Sequence, residues 1–421
     1  MGLLASSNKD MFTPVGSLLK RVLTSYQDQR IRYFLLCMLV FGVTNGLYIG
    51  VLNNYLHDIL GLSRVERGLL EMPRELPGLL LFLSLAVLFR SSEIRILILA
   101  LLLCLFGLVG LAAFGTDRLP AVLMIVLWSW GEHLTMPTRQ SIAIHSARKG
   151  REGAAMGGVS SVRTLGQVIG TYLVLPVFLF VPVGWFIGPY RLTFLIAAAF
   201  LLLAFLTTSR LRGWDRTVKR EKLYFRKKYL KYYILEIFFG ARKQVFITFA
   251  PYVLILNYGA RTELIASLQG IWALVNIFIA PLVGRLLDRI GYKKMIMIDT
   301  SLLVLLCLTY GFAHRVFPYS TAFIIVCGVF VLDAVLFTVG IARAMYVKTI
   351  ARSRDEVTST LSAGLSINHL VSIVIAMLGG LLWQSLGIET LFSLAALFGL
   401  GSFIYSLTLP GPKNIPIAEG E

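Results

Sequence analysis

Charged side chains are scarce in this sequence. Asp, Glu, Lys and Arg make up 15% of 421 residues, where a soluble domain carries roughly a quarter. That shortfall excludes an ordinary water-soluble globule, whose surface needs more charge than this chain holds. Cysteine is rarer still. Cys37, Cys104, Cys307 and Cys327 all lie in apolar runs and share neither a metal-ligand nor a redox spacing, so they read as buried thiols. The chain has no nucleotide-binding glycine loop after a strand, no zinc spacing and no credible nucleophile triad. An enzyme is therefore not expected, nor is any cofactor or metal. Nothing at the start resembles a cleaved signal: residues 1–30 are mostly polar, and "GSLLKRVLTSY" (16–26) has the pattern of a short amphipathic helix on a membrane surface.

What the chain does have is hydrophobic residues, 57% of the total, in recurring runs of bilayer-spanning length. They predict an all-α membrane protein with twelve transmembrane helices, at about 32–56, 67–89, 95–115, 119–146, 153–182, 189–209, 231–257, 263–284, 294–313, 318–346, 356–385 and 388–409. The net charge of +18 does not indicate nucleic acid, because the cations gather in alternate short connections. Odd-numbered connections hold only Arg64, Arg67, Arg118, Arg191, Arg261 and Arg315. The N-terminal segment and the even-numbered connections hold most of the others. The positive-inside rule then places both termini in the cytoplasm, in a plasma membrane or a bacterial inner membrane.

One connection is long and strongly basic, "RLRGWDRTVKREKLYFRKKYLK" (210–231), and beside a membrane it is expected to bind anionic headgroups. It divides the chain into an N-terminal segment (1–31), a first half (32–209), the basic loop (210–230), a second half (231–409) and a tail (410–421). The halves repeat. An offset of 198 residues lays "FGVTNGLYIG" (41–50) over "FGARKQVFIT" (239–248), and an offset of 204 lays Arg139 over Arg343. Two parallel six-helix repeats are a known transporter architecture.

"GRLLDRIGYKK" (284–294), in the connection after the eighth span, resembles the G-x-L-x-D-R-x-G-R/K-K/R signature of the major facilitator superfamily. Gly284, Asp288, Arg289, Gly291, Lys293 and Lys294 match in order. The resemblance covers nearly the whole chain and implies two pseudo-symmetric six-helix halves that work by alternating access. It also implies a latch at the cytoplasmic helix ends in the outward-facing state, with Gly284 allowing close helix approach, Asp288 accepting from a neighbour and Gly291 making a tight turn. The equivalent first-half connection, "AVLFRSSEIR" (86–95), has Arg90 and Glu93 at the Asp288 and Gly291 positions, so that latch is degenerate. Antiporters of the family often carry G-P-x-x-G-G on the fifth span. Here "RTLGQVIGTYL" (163–173) keeps Gly166 and Gly170 but has Gln167 for the proline, which weakens a drug-antiporter reading.

Ionisable residues inside a bilayer cost about 2.5–3.5 kcal/mol each on insertion scales, and they usually face a cavity or a partner. Glu132, Arg163, Arg242, Lys243, Asp333 and His369 fall near mid-depth. Arg163 and Glu132 read equally as a structural ion pair or as site residues. Arg242 and Lys243, about 100° apart on one helix, need not both face the cavity, and one can pair with Asp333 or Glu132. Lys243 also shares a face with Glu236, and His369 follows Asn368. Asn45 lies over Lys243 in the repeat. Substrate binding is expected at Arg242, Lys243, Arg163, Asn45, Asn368 and His369, with proton coupling at Glu132 or Asp333. Glu71, Arg74 and Glu75, at i, i+3 and i+4 in the outer third of span two, predict an ion-pair gate beside a kink at Pro73 and Pro77. Arg139 and Arg343, near the opposite ends of spans four and ten, predict an inner gate.

The functional expectation is a monomeric, proton-coupled carrier of a small anionic or zwitterionic solute bearing a carboxylate or phosphate. Rival readings are proton-driven efflux of drugs or lipid-like amphiphiles over Trp128, Trp130 and Trp272, and a non-transporting receptor or scaffold.

Overall fold

The computed structural model describes residues 23–26, 28, 30–88, 90–149, 151–182, 184–211, 225–352 and 354–411. Most of the expected surface helix at 16–26, most of the basic loop and nearly all of the tail lie outside these residues. The described chain is helical, apart from one isolated bridge between Tyr26 and Ala147. The first half comprises α1 (Ile31–Asp58), α2 (Arg64–Leu79), α3 (Leu81–Val87), α4 (Glu93–Phe114), α5 (Arg118–Ser146), α6 (Glu152–Phe180) and α7 (Pro189–Thr208). The second comprises α8 (Leu230–Tyr258), α9 (Thr262–Val316), α10 (Tyr319–Thr338), α11 (Ile341–Ile350) and α12 (Arg354–Leu407).

Eight of the described helical stretches are long and apolar enough to cross a membrane. Helices suit lipid because each backbone N–H and C=O finds its partner within the segment. Phe106, Phe114, Leu119, Phe278, Leu305 and Ile324 project from the bundle, as side chains that face acyl chains do. α2 and α8 instead carry dense embedded charge and pack at the centre.

Breaks in the helices follow local chemistry. Past Pro73 and Pro77 the helix is interrupted at Leu80 (φ −88°, ψ 11°) before α3 resumes, so the expected kink is a break. α9 turns at Gly291 (φ 77°, ψ 163°) and α12 at Gly387 (φ 88°, ψ 170°), a backbone region open essentially to glycine alone. Both turns fall between successive expected spans. α2 starts with a capping box in which Ser63 and Glu66 satisfy each other's backbone amides.

Apolar burial gives no net attraction between helices in lipid, so close van der Waals approach has to supply it. α1 and α6 achieve this through glycines. A Cβ at Gly42 would fall 2.1 Å from the Arg163 carbonyl oxygen, and one at Gly170 would fall 2.0 Å from that of Val43. This contact fixes Arg163 beside Asn45. Ahead of α1, Tyr26 donates to the Ala155 carbonyl at 2.7 Å and ties the entering chain to the α5–α6 turn.

The two halves meet at one end. Asn54 donates to the Ala260 carbonyl at 3.0 Å, Tyr252 donates to the Leu62 carbonyl, and Tyr190 meets Thr262 at 2.9 Å. Arg64 stacks over Trp383 with 5.0 Å to the ring centre. These contacts lie at the end opposite the basic turns. At the basic end, a Cβ at Gly153, Gly157 or Gly284 would meet nothing within 4 Å.

Candidate functional site

Three groups of charged side chains occupy the axis between the halves. The first lies just inside the closed end. Glu71, fully buried, accepts from Arg67 and from Arg74, whose Nη2 is 2.5 Å away. Gln244 of α8 is a third residue donating to Glu71, at 3.0 Å. Arg74 also reaches Glu75 at 3.0 Å, and Arg67 reaches Asn53 of α1 at 3.2 Å. Glu75 then meets Nδ1 of His369, on α12, at 2.8 Å. The i, i+3, i+4 spacing therefore forms a network, as expected, and the network extends across the seam. Its charges balance locally, so burying them is tolerable.

The second group belongs to the second half. Arg242, 2% exposed, donates to Asp333 at 2.7 Å. Lys243 donates to the Asn368 side-chain oxygen at 2.6 Å, and Asn368 donates onward to Glu236 at 3.3 Å. Arg343 takes the other Glu236 oxygen at 2.7 Å. The guanidinium of Arg343 lies 3.4 Å from the centre of the Phe239 ring, with Arg242 at 5.0 Å from the same ring. The helix-internal stripe expected between Lys243 and Glu236 thus runs through Asn368 on a different helix.

The third group belongs to the first half. Asn45 donates to Glu132 at 2.8 Å, and Arg163 approaches the Asn45 oxygen at a long 3.5 Å. This amide bridge replaces the direct Arg163–Glu132 pair that the sequence allows. Arg139 has no described hydrogen-bond or ion-pair partner, although the field of Glu132 reaches it and Arg163 alike.

The two halves use equivalent positions. Asn45 corresponds to Lys243, and Arg163 falls one residue from the equivalent of Asn368. Each half therefore pairs a cation with an amide between the same two helices, with the roles exchanged.

The signature connection is unlatched in this arrangement. Gly291 makes the predicted turn, and Lys293 caps the end of α12 through the Leu407 and Leu409 carbonyls at 2.7 and 2.9 Å. Asp288 and Arg289 are exposed and have no described partner. Gly284 makes no close helix contact. The physical reason is the separation of the halves at this end, which leaves no neighbour to latch. Arg343, expected at an inner gate with Arg139, is instead tied to Glu236 within its own half.

Several participants are not marked as site residues by the sequence, among them Arg67, Asn53, His133, Gln244 and Glu236. Gln244 continues the polar run Arg242–Lys243 and bonds Thr248 one turn on, so a local signal for it exists. His133 bonds Ser129 one turn back on its own helix, and its approach to Glu75 and His369 depends on where α2 and α12 lie.

The sequence profile of the Major Facilitator Superfamily matches residues 34–351 and 232–421. The chain belongs to the major facilitator superfamily. It is an integral, multi-pass membrane protein and a secondary carrier of small-molecule solute, not an enzyme. Solved structures support the same fold. A bacterial homologue of the iron transporter ferroportin, in an inward-facing state, superposes with a TM-score of 0.73 at 13% identity, covering 91% of this chain and 99% of that one. A bacterial homologue of the human lysosomal transporter Spinster, inward-facing and unoccupied, gives 0.67 at 15% identity, covering 94% and 98%. The xylose transporter XylE from E. coli, inward open, gives 0.68 at 13% identity, covering 94% and 96%. No curated protein sequence matches the chain.

Proposed function

We propose that this superfamily carrier moves a small anionic or zwitterionic solute, bearing a carboxylate or phosphate, held between Arg163 of the first half and Lys243 of the second. One observation carries the reading. Arg67, Arg74, Arg242 and Arg343 each have a carboxylate of their own, whereas Arg163 and Lys243 are held only by the neutral amides of Asn45 and Asn368. Both are part-buried rather than sealed. A cation at mid-depth without an acid partner is costly, and an anionic solute group removes that cost. Arg242, paired with Asp333, becomes a support for Lys243 rather than a direct ligand.

Proton coupling, in this reading, falls to Glu132. Its described side-chain bond comes from neutral Asn45, so protonation breaks no direct ion pair. Protonating Asp333 would leave Arg242 bare. The basic end is the cytoplasmic side, with both termini there, twelve crossings and the halves 32–209 and 231–409 joined by the basic loop. The described contacts then correspond to a carrier closed outside and open inside. The amphiphile reading loses ground because Trp128 is 1% exposed and packs on Tyr48 at 4.4 Å.

The test is solute counterflow in proteoliposomes against a panel of organic anions, phosphates, cations and neutral amphiphiles. Arg163→Gln and Lys243→Gln should each weaken binding of the transported anion about 10- to 100-fold, the size of a lost charge-assisted hydrogen bond. Competition by cations or amphiphiles alone, with both variants unchanged, overturns the proposal. No flux of any panel member would favour a receptor or scaffold.

A further inference from the structure

We propose that Glu75, His133 and His369 form a binding site for a divalent transition-metal ion, which staples the two halves together at their closed end. The potential ligand atoms of these three buried residues lie within 4.8 Å of one another. They come from α2, α5 and α12, so the set exists only when the halves meet here. The histidine rings are 4.9 Å apart between centres and inclined by 68°.

Hydrogen bonding settles which ring nitrogens carry lone pairs. His133 Nδ1 lies 2.8 Å from the Ser129 carbonyl oxygen, which only accepts, so Nδ1 carries the proton and Nε2 is bare. His369 Nδ1 faces the Glu75 carboxylate at 2.8 Å, which likewise puts its proton on Nδ1. His369 Nε2 is then an acceptor with no partner, inside a residue that is 5% exposed. A buried polar atom left this way costs about 1–3 kcal/mol, and a metal ion would satisfy it.

A Cβ at Gly78 would fall 2.6 Å from His133 Nε2 and 2.6 Å from His369 Cε1, so the glycine is what lets both rings pack against the α2 backbone and against each other. The second shell follows the usual pattern for metal-binding histidines, in which the other ring nitrogen donates to a carbonyl or carboxylate. Ser129 and Glu75 fill those roles. Closing on bonds of about 2.0–2.2 Å needs roughly an ångström of side-chain movement from the present spacing.

Charge sets the selectivity and strength. Arg74 holds the other Glu75 oxygen at 3.0 Å, and the field of Lys243 reaches His369. A dication therefore enters a cluster whose carboxylates already have cationic partners, which predicts reversible binding. Two imidazoles favour Zn²⁺, Co²⁺, Ni²⁺ or Cu²⁺ over Mg²⁺ or Ca²⁺.

The experiment is Co²⁺ titration of the purified full chain, carrying no histidine tag, read by visible d–d absorption and by competition with Zn²⁺. The expected result is a saturable band displaced by Zn²⁺, with affinity at least tenfold weaker in His133→Gln and His369→Gln. Gly78→Ala, which pushes both rings out of place but removes no ligand, should abolish the band. Zn²⁺ should raise the unfolding temperature of the parent and not of Gly78→Ala. X-ray absorption of the Zn²⁺-loaded parent needs no variant and should report two imidazoles. No band in the parent, bands retained in both histidine variants, or a zinc spectrum without imidazole overturns the proposal.

Discussion

Arg242 donates to Asp333 at 2.7 Å from a position that is 2% exposed, which makes the pair a buried structural tie between α8 and α10. Breaking one side of such a pair typically costs about 3–5 kcal/mol, because the remaining charge has no partner. Arg242→Ala and Asp333→Ala should each lower the yield of folded protein and its unfolding temperature in detergent. Arg242→Met combined with Asp333→Leu should recover most of the loss. Lys243→Gln, by contrast, should leave the unfolding temperature close to that of the parent while weakening solute binding.

Asn54 and Ala260 lie at the closed end, joined by a 3.0 Å bond between the halves. Asn54→Cys with Ala260→Cys should cross-link with a short thiol-bridging reagent, stop transport, and regain it on reduction. Gly284→Cys, which meets nothing within 4 Å, should react freely with a maleimide when cross-linked in this way. Protection of Gly284→Cys in the cross-linked protein would contradict an arrangement open at the basic end.

Gly291 and Gly387 sit at φ 77° and 88° with extended ψ. Alanine at either site forces an L residue into a region that costs about 1–3 kcal/mol. Gly291→Ala and Gly387→Ala should each destabilise the protein by that amount in thermal unfolding. Gly284→Ala, in open space, should be within about 0.5 kcal/mol of the parent in the same assay.

Glu66, in the first turn of α2 and ahead of the second expected span, is held below the usual carboxylate range. The cause is first the Ser63 backbone amide and then the Ser63 hydroxyl; burial opposes them, and Arg118 adds a smaller lowering effect. Its folded value is depressed, so its contribution is complete above the unfolded carboxylate value of about 4.3 and is lost as pH falls through the folded one. Stability should fall on acidification below about pH 4, and Glu66→Gln should reduce that dependence. Ser63→Ala should cost about 1 kcal/mol at neutral pH through the lost cap.

Features that depend on neighbours along the chain are legible in the sequence alone. Glu71, Arg74 and Glu75 stand one helical turn apart, so their network follows from helix geometry. Gly291 lies in a connection whose turn needs its conformation. Features that depend on helices meeting are legible only as options. Arg242 has two candidate acids in the sequence, and its pairing with Asp333 depends on how α8 faces α10. His133 and His369 are separated by most of the protein, and nothing local to either one points to the other.

The sequence by itself determined the helices, their break points, the two repeated halves and the burial of charge along the axis between them. Those properties follow from hydropathy, glycine conformation and the cost of charge in lipid, which act on short stretches of chain. Only the tertiary structure decided which cations keep acids of their own and which, like Lys243 and Arg163, are left to neutral amides. It also decided which end of the carrier is shut. Both depend on how one half rests against the other, and a carrier's halves must be able to rest in more than one way.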